Sequence, residues 1–224
     1  MVDTTASQDS VAAMAQRLYR AAPPVARTLQ SLRPYICPFD DLLDQIPDDA
    51  HVLDVGCGAG LLLGLVAQTY PHASGIGFDS SGHAILAAQT MAANNGFAGR
   101  IRFEHRAVGD AWPTGPFDVV SLIDVLHHIP PPRQQAVIEQ SFAHVRPGGV
   151  MIYKDMAQRP MISALWNRAH DLVLARQWIH YRAIADVQRW LTAQGAHIGK
   201  TGARSMGPYA HELLVARKPD AVAA

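Results

Sequence analysis

Val52-Leu53-Asp54-Val55-Gly56-Cys57-Gly58-Ala59-Gly60, running directly into Leu61-Leu62-Leu63-Gly64-Leu65-Val66-Ala67, decides how this chain folds. An apolar run with a single acid ends in three alternating glycines, and an apolar helix-like run follows. Glycine at every second position lets a backbone turn tightly from strand to helix and approach a ligand without Cβ clashes. The helix that follows leaves N–H groups at its start for an anionic or carboxylate-bearing ligand. The pattern implies a nucleotide-like cofactor on a parallel sheet.

Outward from this turn, strand and helix patterns alternate. Ala73–Asp79 is a second short strand, and a helix over Ser81–Asn95 stops at Asn94-Asn95-Gly96. Ile101–His105 and Phe117–Asp124 are the third and fourth strands. A helix over Arg133–His144 stops at Arg146-Pro147-Gly148-Gly149, before a fifth strand at Val150–Lys154. Such alternation implies right-handed βαβ units and a mostly parallel sheet with helices on both faces. Beyond Asp155 the rhythm breaks. A helix over Ala183–Gln194 is closed by Gly195, and two short strands, near Ala196–Thr201 and His211–Arg217, follow with no helix between them. Strands joined in that way pair antiparallel. Before the sheet, Ser7–Gln45 has helical periodicity broken at Pro23-Pro24, Pro34 and Pro38, a helical lead-in.

The chain has 224 residues, enough for one α/β domain, with 49% hydrophobic and 17% charged residues. Nineteen basic residues balance nineteen acidic ones, so no basic excess points to a nucleic-acid partner. No apolar stretch approaches the ~18 residues a membrane span needs, and the N-terminus lacks the basic and apolar segments of a signal peptide. Membrane insertion is not expected. Of the two cysteines, Cys37 and Cys57, the second lies in the glycine turn, which argues against a structural disulfide and fits a reducing cytoplasm. No metal-ligand spacing is present, and Pro219–Ala224 is expected to be a disordered tail.

The dinucleotide fingerprint G-x-G-x-x-G fails in both frames, because its third glycine would fall on Leu61 or Leu63. Asp54-Val55-Gly56-Cys57-Gly58-Ala59-Gly60 instead resembles motif I of the class I S-adenosylmethionine (SAM)-dependent methyltransferases. That resemblance, specific over residues 48–155 and topological over 183–218, implies a Rossmann-like seven-stranded sheet closed by an antiparallel hairpin. It implies one domain over residues 1–218, with 1–47 as lead-in and 156–182 as a lid-like insertion. SAM, leaving as S-adenosylhomocysteine, is the cofactor it implies.

Carried over residue by residue, Gly56, Cys57, Gly58 and Gly60 form the cofactor turn, and Asp54 lies near the methionine end. Asp79, with Ser80 beside it, sits where the family keeps its ribose-binding acid; a helix N-cap is the competing role. The family's adenine-contacting acid is replaced here. Ala107 and Val108 stand at that position, leaving backbone and apolar contacts or a shifted Asp110.

Phe117–Val120 through Asp124-Val125-Leu126-His127-His128-Ile129-Pro130 resembles the family's motif IV region. It places Asp124 toward the cofactor and His127 and His128 at the carboxyl end of the fourth strand, where open α/β sheets bind ligands. The Asn/Asp-Pro-Pro-Tyr motif is absent, which disfavours nucleobase or protein amide methylation. An imidazole suits a hydroxyl acceptor, whose proton it can take, so either histidine is a candidate base with Asp155 in support. Met161, Trp166, Asn167, His170, Trp178, His180 and Tyr181, with Tyr35–Phe39 from the lead-in, are placed to roof the pocket. The favoured reading is O-methylation of a small molecule. C- or N-methylation, an RNA or protein methyltransferase, and a non-catalytic SAM-binding protein are the alternatives.

Overall fold

The computed structural model describes residues 4–157, 180–206 and 209–221, with side chains from residue 9 onward except at Tyr209. The chain divides into two compact units, Met1–Pro113 and Thr114–Ala224.

The first unit opens with three helices, α1 (Thr4–Leu18), α2 (Pro24–Ile36) and α3 (Phe39–Leu43). Val11, Ala12, Ala15, Leu18 and Tyr19 recur at helical spacing and are all buried, which turns α1 inward along one stripe. Pro34, expected to break the lead-in, instead lies inside the last turn of α2. A proline there forfeits only its own bond to the carbonyl four residues back, so the earlier turns survive. The sheet begins with β1 (His51–Val55), followed by α4 (Leu61–Thr69), β2 (Ser74–Asp79), α5 (Gly82–Asn94) and β3 (Ile101–His105). β1 pairs with β2 and β2 with β3, both parallel, with Asp54 opposite Gly77 and Asp79 opposite His105. Val52, Leu53 and Val55 are wholly buried, as expected for a strand covered on both faces. α4 is apolar on every side and is buried from Leu61 through Ala67.

Arg100, just before β3, fastens this unit. Its guanidinium donates to the carbonyls of Ala67 (2.9 Å), Tyr70 (3.2 Å) and Ala73 (2.6 Å), collecting the orphan acceptors at the end of α4 and in the turn into β2.

The second unit contains β4 (Phe117–Ile123), a 3₁₀ turn at Leu126–His128, α6 (Pro131–Ala143), β5 (Val145–Met156), α7 (Ile184–Ala193), β6 (His197–Met206) and β7 (Tyr209–Arg217). β4 and β5 are parallel, and β7 pairs antiparallel with both β5 and β6. Arg146–Gly149 does not stop a helix, as the sequence suggested. α6 has already ended at Ala143, and these residues lie in the extended start of β5. Register shifts between Phe117, opposite Val145, and Val119, opposite Val150, which takes up the extra residues as a bulge. Lys218 plays the part here that Arg100 plays in the first unit: its ammonium donates to the carbonyls of Phe142, Ala143 and Val145 where α6 ends.

Strand order through the seven-stranded sheet is β3-β2-β1-β4-β5-β7-β6. The mostly parallel sheet with a terminal antiparallel pair is therefore present, and the hairpin strands run longer than their sequence pattern indicated. Among the described residues no helix is long and apolar enough to cross a membrane.

Replacing Arg100 by Met keeps much of the aliphatic stem and strands three carbonyls. The expected loss is about 2 kcal/mol of stability, seen as a lower urea midpoint at unchanged slope. Gly60 has φ +84, and a Cβ there would stand 2.6 Å from Phe103 Cζ and 2.9 Å from Ala88 Cβ. Gly60→Ala is expected to cost about 3 kcal/mol by the same measurement.

Candidate functional site

In the first unit the glycine turn is suspended from the end of β2. The amides of Gly56 and Cys57 both donate to the Phe78 carbonyl, at 2.9 and 3.0 Å. The Gly58 amide donates to Asp79 Oδ2 (2.9 Å), and the Ser81 amide donates to Asp79 Oδ1 (2.8 Å). Gly56, Gly58 and Gly60 have φ of 69°, 53° and 84°, conformations that a Cβ opposes. The structure brings Gly56, Cys57, Gly58, Gly60 and Asp79 together in one loop cluster. Ser81, not Asp79, is the N-cap of α5, accepting from the Ala84 amide at 3.3 Å. Asp79 is therefore not needed as a cap. Ser80 is exposed and contributes its carbonyl as acceptor for His105 Nε2 at 2.9 Å.

A residue outside every motif completes the turn: the Tyr19 hydroxyl donates to the Ala59 carbonyl at 2.7 Å. Burial raises the Tyr19 phenol, partly countered by Arg33, so it stays a donor. No sequence signal marked it beyond its place on the inward stripe of α1. Cys57 is inert for the same reason. Burial first, then the Asp54 and Asp79 charges, push its thiol far above the ordinary range. Its side chain covers Gly77, where a Cβ would lie 2.8 Å from Cys57 Cβ.

After β3, the Ala107 amide donates to Asp110 Oδ2 (2.8 Å), and the Asp110 amide returns a bond to the Ala107 carbonyl (3.0 Å). Asp110 is thus folded onto its own turn. The Val108 carbonyl accepts from Trp112 Nε1 (3.1 Å), and Trp112 meets Phe78 edge-on with ring centres 5.1 Å apart.

These residues fit SAM. A Cβ at Gly58 would meet no described atom within 4 Å, so that flank of the loop is open. α4 starts at Gly60 with no side-chain cap, which suits a carboxylate. Each Asp79 oxygen accepts one protein bond and retains a lone pair for a ribose hydroxyl.

In the second unit, Asp124 follows directly on β4, and its φ of 55° is the one positive value among described non-glycine residues. A short polar side chain tolerates that conformation. Lys154 holds Asp124 twice: its carbonyl accepts from the Asp124 amide (2.9 Å), and its ammonium donates to Asp124 Oδ1 (2.6 Å). Lys154 is completely buried, and this carboxylate partner explains how an apolar strand accommodates a cation. The lysine beside Asp155 in an otherwise apolar run was the signal that could have revealed it.

His127 and Asp155 come together. His127 Nδ1 hydrogen-bonds Asp155 Oδ1, and the His127 amide donates to Asp155 Oδ2 at 3.2 Å. The Met156 amide (2.8 Å) and the Tyr153 hydroxyl (3.5 Å) also donate to that carboxylate. The imidazole is 2% exposed and the carboxylate residue 5%. Burial and the Asp155 charge raise the Tyr153 phenol well above its ordinary value, so it remains protonated. His128 is exposed beside His127, with ring centres 4.0 Å apart. Of the residues expected to roof a pocket, Met161, Trp166, Asn167, His170 and Trp178 lie outside the described residues. His180 is described, and its amide donates to the His127 carbonyl at 2.8 Å. Tyr35 is exposed, whereas Phe39 is buried in the core.

A family model described as a methyltransferase domain matches residues 25–198. A ubiquinone biosynthesis O-methyltransferase of Psychrobacter arcticus is 32% identical over 111 residues, 49% of this chain and 42% of that protein. In it and its Psychrobacter cryohalolentis counterpart, the match spans less than half of the relative's length. An O-methyltransferase family protein from Burkholderia thailandensis superposes with a TM-score of 0.70 at 23% identity, over 88% of this chain and 60% of that one. Magnesium protoporphyrin IX methyltransferase from Synechocystis PCC 6803, solved with bound SAM, superposes at 0.66 with 20% identity, over 97% and 98% of the two chains. With a methyltransferase family model matching most of its length, a glycine turn held by the carboxylate at the end of β2, and a terminal antiparallel pair, this chain belongs to the SAM-dependent methyltransferase family.

Proposed function

We propose that residues 1–218 work together to methylate a hydroxyl of a small molecule, using SAM. The observation that carries this reading is the buried His127–Asp155 pair. Asp155 receives three other donors, the amides of His127 and Met156 and the Tyr153 hydroxyl, so His127 Nδ1 carries the hydrogen toward it and the imidazole lone pair falls on Nε2. An Nε2 base can take the proton of an acceptor hydroxyl, and the carboxylate behind the ring steadies the resulting imidazolium. His128, exposed beside it, is the secondary candidate.

Asp79 accepts the ribose hydroxyls with its remaining lone pairs, a charge-assisted arrangement. The turn Gly56-Cys57-Gly58 and the start of α4 at Gly60 take the carboxylate end, with Asp54 nearby. Ala107 and Val108 line the adenine side, and Asp124, fixed by Lys154, is assigned to cofactor binding by its motif position. When bound, SAM supplies the methyl group of its sulfonium. The relatives named as O-methyltransferases support a hydroxyl acceptor, and the balanced net charge supports a small molecule over a nucleic acid.

Calorimetry should show SAM binding, and Asp79→Ala should weaken it about 30-fold; a native protein that binds no SAM would overturn the whole reading. Transfer of labelled methyl from SAM to parallel panels of phenols, alcohols, carboxylates, amines and carbon acids should be confined to the hydroxyl acceptors. With an active acceptor, His127→Ala should lower turnover by about two to four powers of ten while SAM affinity changes little. Asp155→Asn should act in the same direction, and His128→Ala should have a much smaller effect. Full turnover in His127→Ala removes its assignment as base.

A further inference from the structure

Gln134, on α6, has no exposed surface. Burying a primary amide is costly unless both ends are bonded, and here both are. Its Nε2 donates to the carbonyls of Leu126 (3.1 Å), Ile129 (3.1 Å) and His180 (3.0 Å), and its Oε1 accepts from Arg182 Nε (2.7 Å). Three acceptors at one end and a guanidinium at the other leave only one orientation for the amide. Arg182 is itself held, by Asp186 at 3.3 Å and over the Trp190 ring at 5.2 Å. Leu126 and Ile129 bracket the two histidines, and the His180 amide closes the circuit on the His127 carbonyl. One side chain thus ties both ends of the histidine turn to the chain at His180.

We propose that Gln134, oriented by Arg182, is the positioning residue that holds His127 in register with Asp155. It sets the base geometry through the backbone of the turn. A carboxylate could not substitute, because it offers no donor to three carbonyls. The inference rests on reading His127 as the base, but its test needs no acceptor.

The test is imidazole nuclear magnetic resonance of the full chain, labelled at histidine, with SAM affinity measured alongside. The native protein should show a strongly deshielded Nδ1 proton, assigned by its loss in His127→Ala. Gln134→Met, which keeps the volume and removes both polar ends, should raise that proton's solvent exchange at least about tenfold or abolish the signal. SAM affinity should stay within about twofold. Arg182→Gln, at a side chain only partly buried and gentler on folding, should move exchange in the same direction by about threefold and stands in should Gln134→Met fail to fold. Native exchange in the folded variants would overturn the proposal. So would absence of the deshielded signal from the native protein, or a parallel loss of SAM affinity, which would mark general loosening. Full turnover in His127→Ala with these spectral shifts intact would instead sink the base assignment, leaving the clamp itself standing.

Discussion

The first unit depends on the requirement that the amides of the glycine turn find acceptors. Three successive amides, Gly56 to Gly58, point at the end of β2, where the Phe78 carbonyl and the Asp79 carboxylate receive them. A turn built of positive-φ residues has no repeating ladder of its own, so its shape is borrowed from these acceptors. Asp79 therefore has two tasks: it holds the loop through Gly58 and offers its remaining lone pairs outward. Tyr19, just past α1, secures the other side of the same loop through Ala59.

The second unit solves a comparable problem with buried charge. Asp124 follows directly on β4, and Lys154 and Asp155 lie near the end of β5 after the apolar run over residues 150–153. Each charge is tolerable because it is compensated locally: Lys154 by Asp124, and Asp155 by His127 and two backbone amides. Glu212, opposite Asp155 in the β5–β7 register, shows the residual strain, since burial and then the Asp155 charge raise its carboxyl while the Ile184 amide partly counters them. The His127 ring is thereby held against Asp155, a carboxylate that also receives the amides of His127 and Met156 and the Tyr153 hydroxyl.

Much of this was legible along the chain. Strand positions followed from short apolar runs between turn residues, and Ile101–His105 is reproduced to the residue. The failed dinucleotide spacing, the resemblance to motif I and the terminal hairpin pointed to SAM, and Asp79 to a ribose-bearing cofactor, before any coordinate was needed. Helix and strand ends were harder. Pro34 and the Arg146–Gly149 run looked like breaks, yet a proline in a last turn and a bulge at a strand's start cost little once the surrounding element is packed.

What the sequence determined by itself is local chemistry: three glycines that permit a turn, an acid at the end of the next strand, and histidines after an apolar run. These depend on conformational permission and on spacing, both of which are written in consecutive residues. Only the tertiary structure decided which groups are partners. Tyr19 and Ala59 lie 40 positions apart, His127 and Asp155 28, and Gln134 and Arg182 48. Hydrogen bonds of this kind have no periodicity to betray them. They form because burial leaves each polar group one affordable neighbour, and that neighbour is chosen by the fold.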